Sequence, residues 1–506
     1  MRAAVTMPEI AILLAVAQDH ALGQPPGSQL RAAVVGHELA ASAGADSAEA
    51  ATTWWCSALR FLGCTGHAFD MAVVFGDEIE MRAASGTADF ANPFDMLRLM
   101  VTHAGSTHVG VGRIRSVLAI LAGGKKGAEM NFRTACEVAD VFAKRLGMDE
   151  PVLAALRTSF ERWNGRGLPT GAKSTGIPRP MRIAQLAHEF EILARIEGVR
   201  RALEIVKRRR GKAYDPALAD LVLAHGAAWW GEIEPADPWD AALATAPRSG
   251  PLDDAAVHEA LLVLADFADL KSPWTSGHSR AVASLARDAS GPPAEAAGLV
   301  HDLGCVAVPN TVWDKPGPLT RDERDRAEAH TLVTDQLLRR LPYTAALADM
   351  ACSAHERLDG SGYHRRATGA GLDQAQRIIA AADCYQAMIS DRPHRPALTR
   401  VTAAKELRAM SAAGALDSEA VERVLAAAGH QRLKRPPLPA GLTPREADVL
   451  CLLALGCTTR DVAGRLVISP KTADHHVQHV YAKIGVSTRG AAALFAIEHG
   501  IVANSS

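Results

Sequence analysis

Residues 441–500 constrain the fold most tightly. They read GLTPREADVLCLLALGCTTRDVAGRLVISPKTADHHVQHVYAKIGVSTRGAAALFAIEHG, with helix-start and helix-stop signals spaced for four short helices. Thr443-Pro444-Arg445-Glu446 is a capping box with proline at the first helical position. Thr458 to Asp461 repeats the threonine-x-x-acid signal, and Ser469-Pro470 starts a third helix. Gly456 and Gly485 sit where helices stop. In the third helix Ala473, Val477, Val480 and Ile484 recur at helical spacing and are expected to pack inward. Lys471, Asp474, His475 and Gln478 fall on the opposite face. A helix that buries one side and offers polar groups on the other meets the requirement for reading the major groove.

This stretch closely resembles the LuxR-type (NarL-like) helix-turn-helix over its whole length. The resemblance implies that Asp474, His475 and Gln478 face base edges of double-stranded DNA, while Arg460, Lys471 and Lys483 approach phosphates. It also implies that the fourth helix, Thr488 to His499, helps to form a homodimer. From Gly441 onward six Lys/Arg stand against five Asp/Glu. Phosphate attraction alone therefore gives weak binding, and a dimer or the basic linker residues Arg432, Lys434 and Arg435 are expected to reinforce it.

A chain of 506 residues has room for about three domains, each with its own core. The net charge of −1 and hydrophobic content of 48% fit a soluble globular protein, and alanine-rich periodic segments favour helices. There is no eighteen-residue apolar run and no signal-peptide pattern, so the expectation is a cytoplasmic protein without membrane association. Eight cysteines are scattered without CxxC spacing and read as reduced thiols, mostly in cores. Residues 234–254 and the proline hinge at 431–441 read as linkers, dividing the chain into 1–240, 250–430 and 441–506.

The first two parts are related to each other. Phe160 to Pro169 reads FERWNGRGLP and His355 to His364 reads HERLDGSGYH. Arg182-Ile183 and Arg377-Ile378 each lie twenty-two residues after the start of those segments, so one offset carries both matches. Upstream, Leu62-Gly63-Cys64 matches Leu303-Gly304-Cys305, with about forty-six extra residues between markers in the first copy. The pattern is that of a tandem repeat.

The second copy carries the chemistry. His301-Asp302 stands between His278 upstream and His330 downstream, followed by HERLDGSGY from His355 and by Asp383 in ADCYQAM. Imidazoles and carboxylates spread over several helices suit a divalent cation, which lowers the pKa of a bound water and makes it a nucleophile. Asp359-Gly360-Ser361-Gly362-Tyr363 is a glycine-rich turn able to bring backbone close to a substrate.

Residues 271–425 resemble an HD-GYP domain, the helical phosphohydrolase family whose best-known activity is cyclic di-GMP phosphodiesterase. VPNTVWDKPGPLT after the His-Asp pair and MISDRPHRPAL after Asp383 belong to the match. The resemblance implies one metal held by His278, His301, Asp302 and Asp383, with Asp302 bridging to a second held by His330 and His355. It implies catalysis around His301 and Asp302, with Asp359, Gly360, Gly362, Tyr363 and His364 in the substrate loop. Four departures fall at this site. Cys305 stands where the family has lysine, Ala354 replaces the first of two histidines, GYP has become Gly362-Tyr363-His364, and Trp274 stands where a glutamate is frequent. His364 is a candidate to replace the missing ligand or to meet a phosphate.

In the first copy Gln29 is read opposite His278, Arg60-Phe61 opposite His301-Asp302, Phe160 opposite His355 and His188 opposite Asp383. That set holds no metal. The basic segments GGKKG (123–127) and KRRRGK (207–212) read as solvated loops. The expected architecture is all-α, with two HD-like helical domains followed by a four-helix LuxR-type helix-turn-helix domain. The expected function is a transcriptional regulator whose central domain binds one or two divalent ions, iron or manganese, and a nucleotide or cyclic dinucleotide. A hydrolase localised on DNA by its tail, and a non-enzymatic regulator using both copies as scaffolds, remain open.

Overall fold

The computed structural model describes residues 4–89, 92–103, 111–429 and 438–502. Arg432, Lys434 and Arg435 lie outside them. Among the described residues every regular element is helical, apart from isolated bridges such as Thr6 to Pro251. No helix there is long and apolar enough to cross a membrane. The chain forms two compact units, one spanning Ala4–Ala256 and the other running from Val257 onward.

The first unit is built on the Met7–Ala21, Ser28–Ser42, Ser47–Leu59 and Arg179–Glu197 helices, whose core includes Ile10, Leu14, Leu30, Leu39, Trp54 and Phe190. Part of the 234–254 segment is ordered. Its Pro238–Ala244 helix buries Trp239, and the Ala242 carbonyl accepts a hydrogen bond from the Trp54 indole at 3.1 Å. Residues 123–127 are helical rather than a loop, lying inside the Val111–Arg145 helix. Its two adjacent glycines cost roughly 2 kcal/mol of helix propensity, which burial of Val138 and Phe142 further along offsets. The KRRRGK segment is also partly helical. Arg209 is buried and donates to Glu189 and to the Thr87 carbonyl, while Arg210 pairs with Asp220.

In the second unit the His278–Ser290 helix packs on Pro292–Val300 and Gln374–Met388. Val282, Ile378, Ala382, Tyr385, Leu407 and Val424 form a core beside them. The two units share local devices. The Ser28–Ser42 and His278–Ser290 helices each start after a glycine in the left-handed region, Gly27 at φ 93° and Gly277 at φ 77°. Each start is tied to a buried carboxylate. Asp19 accepts from the amides of Gly27 and Gln29, and Asp269 accepts from the amide and hydroxyl of Ser279. These starts align Ser28, not Gln29, with His278. The one-residue correction comes from the helix cap, which the side-chain pattern does not report.

The tail forms the four helices its caps predict, Pro444–Ala454, Thr459–Leu466, Pro470–Ile484 and Arg489–Glu498. Thr443, Thr458, Ser469 and Thr488 each accept a backbone amide as N-cap. Ala473, Val477 and Val480 are buried and Ile484 is half-buried.

Among the described glycines, Gly304 and its counterpart Gly63 leave the least room for a side chain in their units. A Cβ on Gly304 would lie 2.0 Å from the His330 carbonyl oxygen, and one on Gly63 would lie 1.8 Å from that of Ala135. Both neighbours are backbone and cannot turn aside. Gly63→Ala and Gly304→Ala are each expected to destabilise the protein by about 2 kcal/mol or more in denaturant titration. Loss of less than about 0.5 kcal/mol would mean that these packings yield.

Candidate metal centre

The site is assembled from five separate elements. His278 opens one helix, His301 and Asp302 follow the end of Pro292–Val300, His330 starts a third helix, and Asp383 lies within Gln374–Met388, with His355 in the loop after Pro342–Ala351. Asp302 joins them. Its Oδ1 lies 3.3 Å from His330 Nε2 and 3.0 Å from His355 Nε2, while its Oδ2 lies 3.4 Å from His301 Nε2 and 3.8 Å from His278 Nε2. Asp383 faces the same space, with Oδ1 3.1 Å from His278 Nε2 and Oδ2 3.5 Å from His355 Nδ1. His330 and His355 bring their Nε2 atoms to 3.0 Å of each other.

The donor set fits a divalent metal on the geometry of the nitrogens themselves. His301 Nδ1 donates to the Gly298 carbonyl at 2.8 Å, so Nε2 is the nitrogen that carries the lone pair once the ring is neutral. That Nε2 is fully buried and makes no well-formed hydrogen bond, with Asp302 Oδ2 at 3.4 Å and Asp383 Oδ1 at 3.8 Å. His330 Nδ1 donates to the Ala327 carbonyl at 2.5 Å in the same manner. An imidazole fixed through one nitrogen by a carbonyl, with the other turned into a carboxylate-lined space, is the usual preparation of a metal ligand. His278, His301 and Asp383 form one triad of donors within 4.8 Å of one another, and His301, Asp302 and His355 form a second. Asp302, Cys305 and His330 form a third within the same limit.

Electrostatics follow from burial and pairing. Burial lowers His278 and His355 and favours their neutral, metal-binding form. Burial opposes charge on His301 too, but Asp302 and Asp383 outweigh it and push that imidazole up to about 9. Burial would raise the two carboxylates, yet the surrounding imidazoles hold both well below the usual range. Cys305 is buried, and burial together with Asp302 pushes its thiol up.

The HERLDGSGYH loop packs against this centre. Tyr363 stacks on His355 with ring centroids 5.1 Å apart and planes 7° from parallel. Trp313 meets His330 edge-on at 5.2 Å. Glu356, also buried, accepts the amides of Arg365 and Ala367 and so folds the loop back. Asp359 accepts the Ser361 amide, with Gly360 in the left-handed region at φ 77°. A Cβ at Gly362 would lie 2.5 Å from the His355 carbonyl oxygen, so the close approach this glycine allows is to its own chain. His364 belongs to none of the three donor groups, and Tyr363 is the residue stacked on them. Two nearby residues went unassigned in the sequence. The Arg392 guanidinium bears on both His278 and Cys305, and Lys271 is buried with Nζ at Asn310 and the Val308 carbonyl. Arg392 lies in the matched MISDRPHRPAL segment, the one signal that pointed to it.

In the first unit the counterpart positions are filled by packing. The Arg60 guanidinium lies 4.8 Å from the Phe61 ring centroid and donates to the Ser159 carbonyl. Phe61 meets His188 at 4.6 Å and Phe160 at 6.1 Å. Burial holds His188 well below its ordinary pKa. On the tail, Arg460, Lys471, Asp474, His475 and Gln478 are exposed, the last four along one helix. Lys483 differs from expectation. Its ammonium is held 2.7 Å from Glu446, the acid of the first capping box, and 3.1 Å from the Gly441 carbonyl, so it braces the domain.

Residues 262–420 match the HD domain family, and residues 440–496 match the bacterial regulatory proteins of the luxR family. The chain is 30% identical over 404 residues to 3'3'-cGAMP-specific phosphodiesterase 3 of Vibrio cholerae, covering 77% of this chain and 88% of that protein. It is 38% identical over 109 residues to the cyclic di-GMP phosphodiesterase response regulator RpfG of Xanthomonas campestris, covering 21% of this chain and 28% of that one. The crystal structure of a cyclic GMP-AMP specific phosphodiesterase of V. cholerae superposes with a TM-score of 0.58 at 25% identity, covering 85% of this chain and 99% of that chain.

A cation at this centre must displace the proton that the two carboxylates hold on His301. Metal affinity is therefore expected to rise up to about tenfold per pH unit from pH 7 to about 9, where the imidazole loses its proton unaided. Calorimetry in buffers of different ionisation heat will report the released proton. Affinity independent of pH across that window would mean that His301 stays outside the coordination sphere.

Proposed function

The chain belongs to the HD-domain family of HD-GYP-like phosphodiesterases, and we propose that it is a DNA-binding regulator whose second unit holds a divalent metal and hydrolyses a cyclic dinucleotide. The observation that carries this reading is the buried His301 Nε2, which makes no well-formed hydrogen bond and lies 3.4 Å from Asp302 Oδ2 and 3.8 Å from Asp383 Oδ1. His278, His301, Asp302 and Asp383 would hold one ion and His330, His355 and Asp302 a second, iron or manganese in the family reading. When bound, such an ion supplies Lewis-acid activation of water and of a phosphoryl oxygen.

The chain's own residues do the remaining work. Asp302 fixes the spacing of the two positions through its two oxygens. Burial pushes the Tyr363 phenol up and keeps it neutral, so it donates a hydrogen bond to a phosphate oxygen while its ring restrains His355. With lysine absent at Cys305, Arg392 is the cation that meets phosphate charge, which dominates phosphoryl transfer. Asp359, Gly360, Gly362 and His364 shape the loop at the mouth. A non-hydrolytic sensor is the second reading, and Cys305 and Ala354 are the substitutions that favour it.

On the DNA side, Asp474, His475 and Gln478 read base edges, Arg460 and Lys471 meet phosphates, and a cytoplasmic homodimer presents two such helices to double-stranded DNA. Coupling to the HD unit has a short path. Ser276, two residues before His278, donates to the Ala454 carbonyl of the tail at 3.4 Å, and a Cβ on Gly456 would lie 3.0 Å from Pro273 Cγ.

Purified full-length protein with manganese or ferrous iron is expected to open 3'3'-cGAMP or cyclic di-GMP. Asp302→Ala should lower the rate more than about a hundredfold, since loss of outer-shell partners alone costs ten- to a hundredfold. In the same preparation, metal or cyclic dinucleotide should shift DNA affinity measurably. Tight nucleotide binding without turnover would select the sensor reading. Turnover unaffected by Asp302→Ala would reject the site, and constant DNA affinity would reject the coupling.

A further inference from the structure

We propose that Cys305 is itself a metal ligand, converting the second metal position into a mixed sulfur, nitrogen and oxygen site. The inference rests on the metal-binding reading of this centre and assigns a donor that neither the sequence pattern nor the family resemblance supplies.

Three observations support it. First, the Cys305 sulfur, an Asp302 oxygen and a His330 nitrogen lie within 4.8 Å of one another, and all three residues are buried. Second, the sulfur's position is fixed by backbone packing. The Leu303–Ala307 turn is pinned where Gly304 meets the His330 carbonyl, the Gly304 amide donates to Thr334 Oγ1 at 2.9 Å, and the Cys305 amide donates to the Asp302 carbonyl at 2.9 Å. Third, the second position needs a donor. His330, His355 and Asp302 supply two nitrogens and an oxygen, while Ala354, where the family has histidine, is fully buried and offers none. Cys305 brings the count to four, which suffices for tetrahedral coordination.

The chemistry balances without a co-reactant. The sulfur loses its proton to solvent as the metal–sulfur bond forms, and nothing is oxidised. A thiolate makes the position softer and shifts preference from manganese and magnesium toward zinc, cobalt and ferrous iron. Cys305, the cysteine that falls in a donor group among the described residues, would thus set metal specificity where the family resemblance implies a phosphate-binding lysine.

The test uses full-length protein stripped of metal and titrated with cobalt(II), following near-ultraviolet thiolate-to-cobalt charge-transfer absorption alongside cobalt content by elemental analysis. Wild type is expected to develop the band. Cys305→Ser is expected to lose it while keeping cobalt at the His278, His301, Asp302 and Asp383 position. As a second measure, the preference for cobalt over manganese should fall about tenfold or more in Cys305→Ser. The serine variant must match wild type in circular dichroism, and Cys305→Ala replaces it if it does not. Cobalt bound by wild type without the band, or a band that survives in the variant, would overturn the assignment and leave the centre intact. No cobalt bound by wild type would overturn both this assignment and the metal-binding reading beneath it.

Discussion

The second unit depends on the two oxygens of one carboxylate pointing in different directions. Asp302 Oδ1 faces His330 and His355, and its Oδ2 faces His301 and His278. Those four imidazoles come from elements far apart in sequence, so a single side chain sets the register of the centre. Asp302 is buried, and burying a carboxylate is unfavourable unless charge is returned to it. In the metal-free state protonated His301 returns that charge, and a divalent cation would do so more fully. The carbonyls of Gly298 and Ala327 complete the arrangement by fixing the tautomers of His301 and His330.

The first unit keeps the supporting devices around different side chains. The Gly63 and Gly304 contacts, the left-handed Gly27 and Gly277 caps and the buried Asp19 and Asp269 recur in both units. Where the second unit has His301 and Asp302, the first has Arg60 lying on Phe61, with Phe160 and His188 packed around them. An aromatic and cationic plug fills the volume at those positions.

Much of this was legible in the sequence because its signals are local. Caps at Thr443, Thr458 and Ser469 announce helices whose start depends on the next three residues, and the tail follows them. The histidines and aspartates that meet around Asp302 were legible as a set through their order in the chain. Interactions between distant segments were not legible. Nothing near Lys483 signals that its ammonium lies on Glu446, and the backbone carbonyls that orient His301 and His330 have no sequence mark. The sequence reading placed Gln29 opposite His278, one position from Ser28, because that alignment rests on a backbone angle at Gly27. The glycine pair at 123–124 suggested a break, but in a thirty-five-residue helix packing further along outweighs it.

Metal content tests the account most directly. Full-length protein purified without chelators, analysed for transition metals beside Asp302→Ala, requires no assumption about substrate or operator. About one or two equivalents of divalent metal are expected in wild type and are expected to be lost in the variant. A wild-type protein that binds no metal, even after incubation with iron, manganese, zinc and cobalt, would contradict it and leave the second unit as a scaffold beneath a DNA-binding tail.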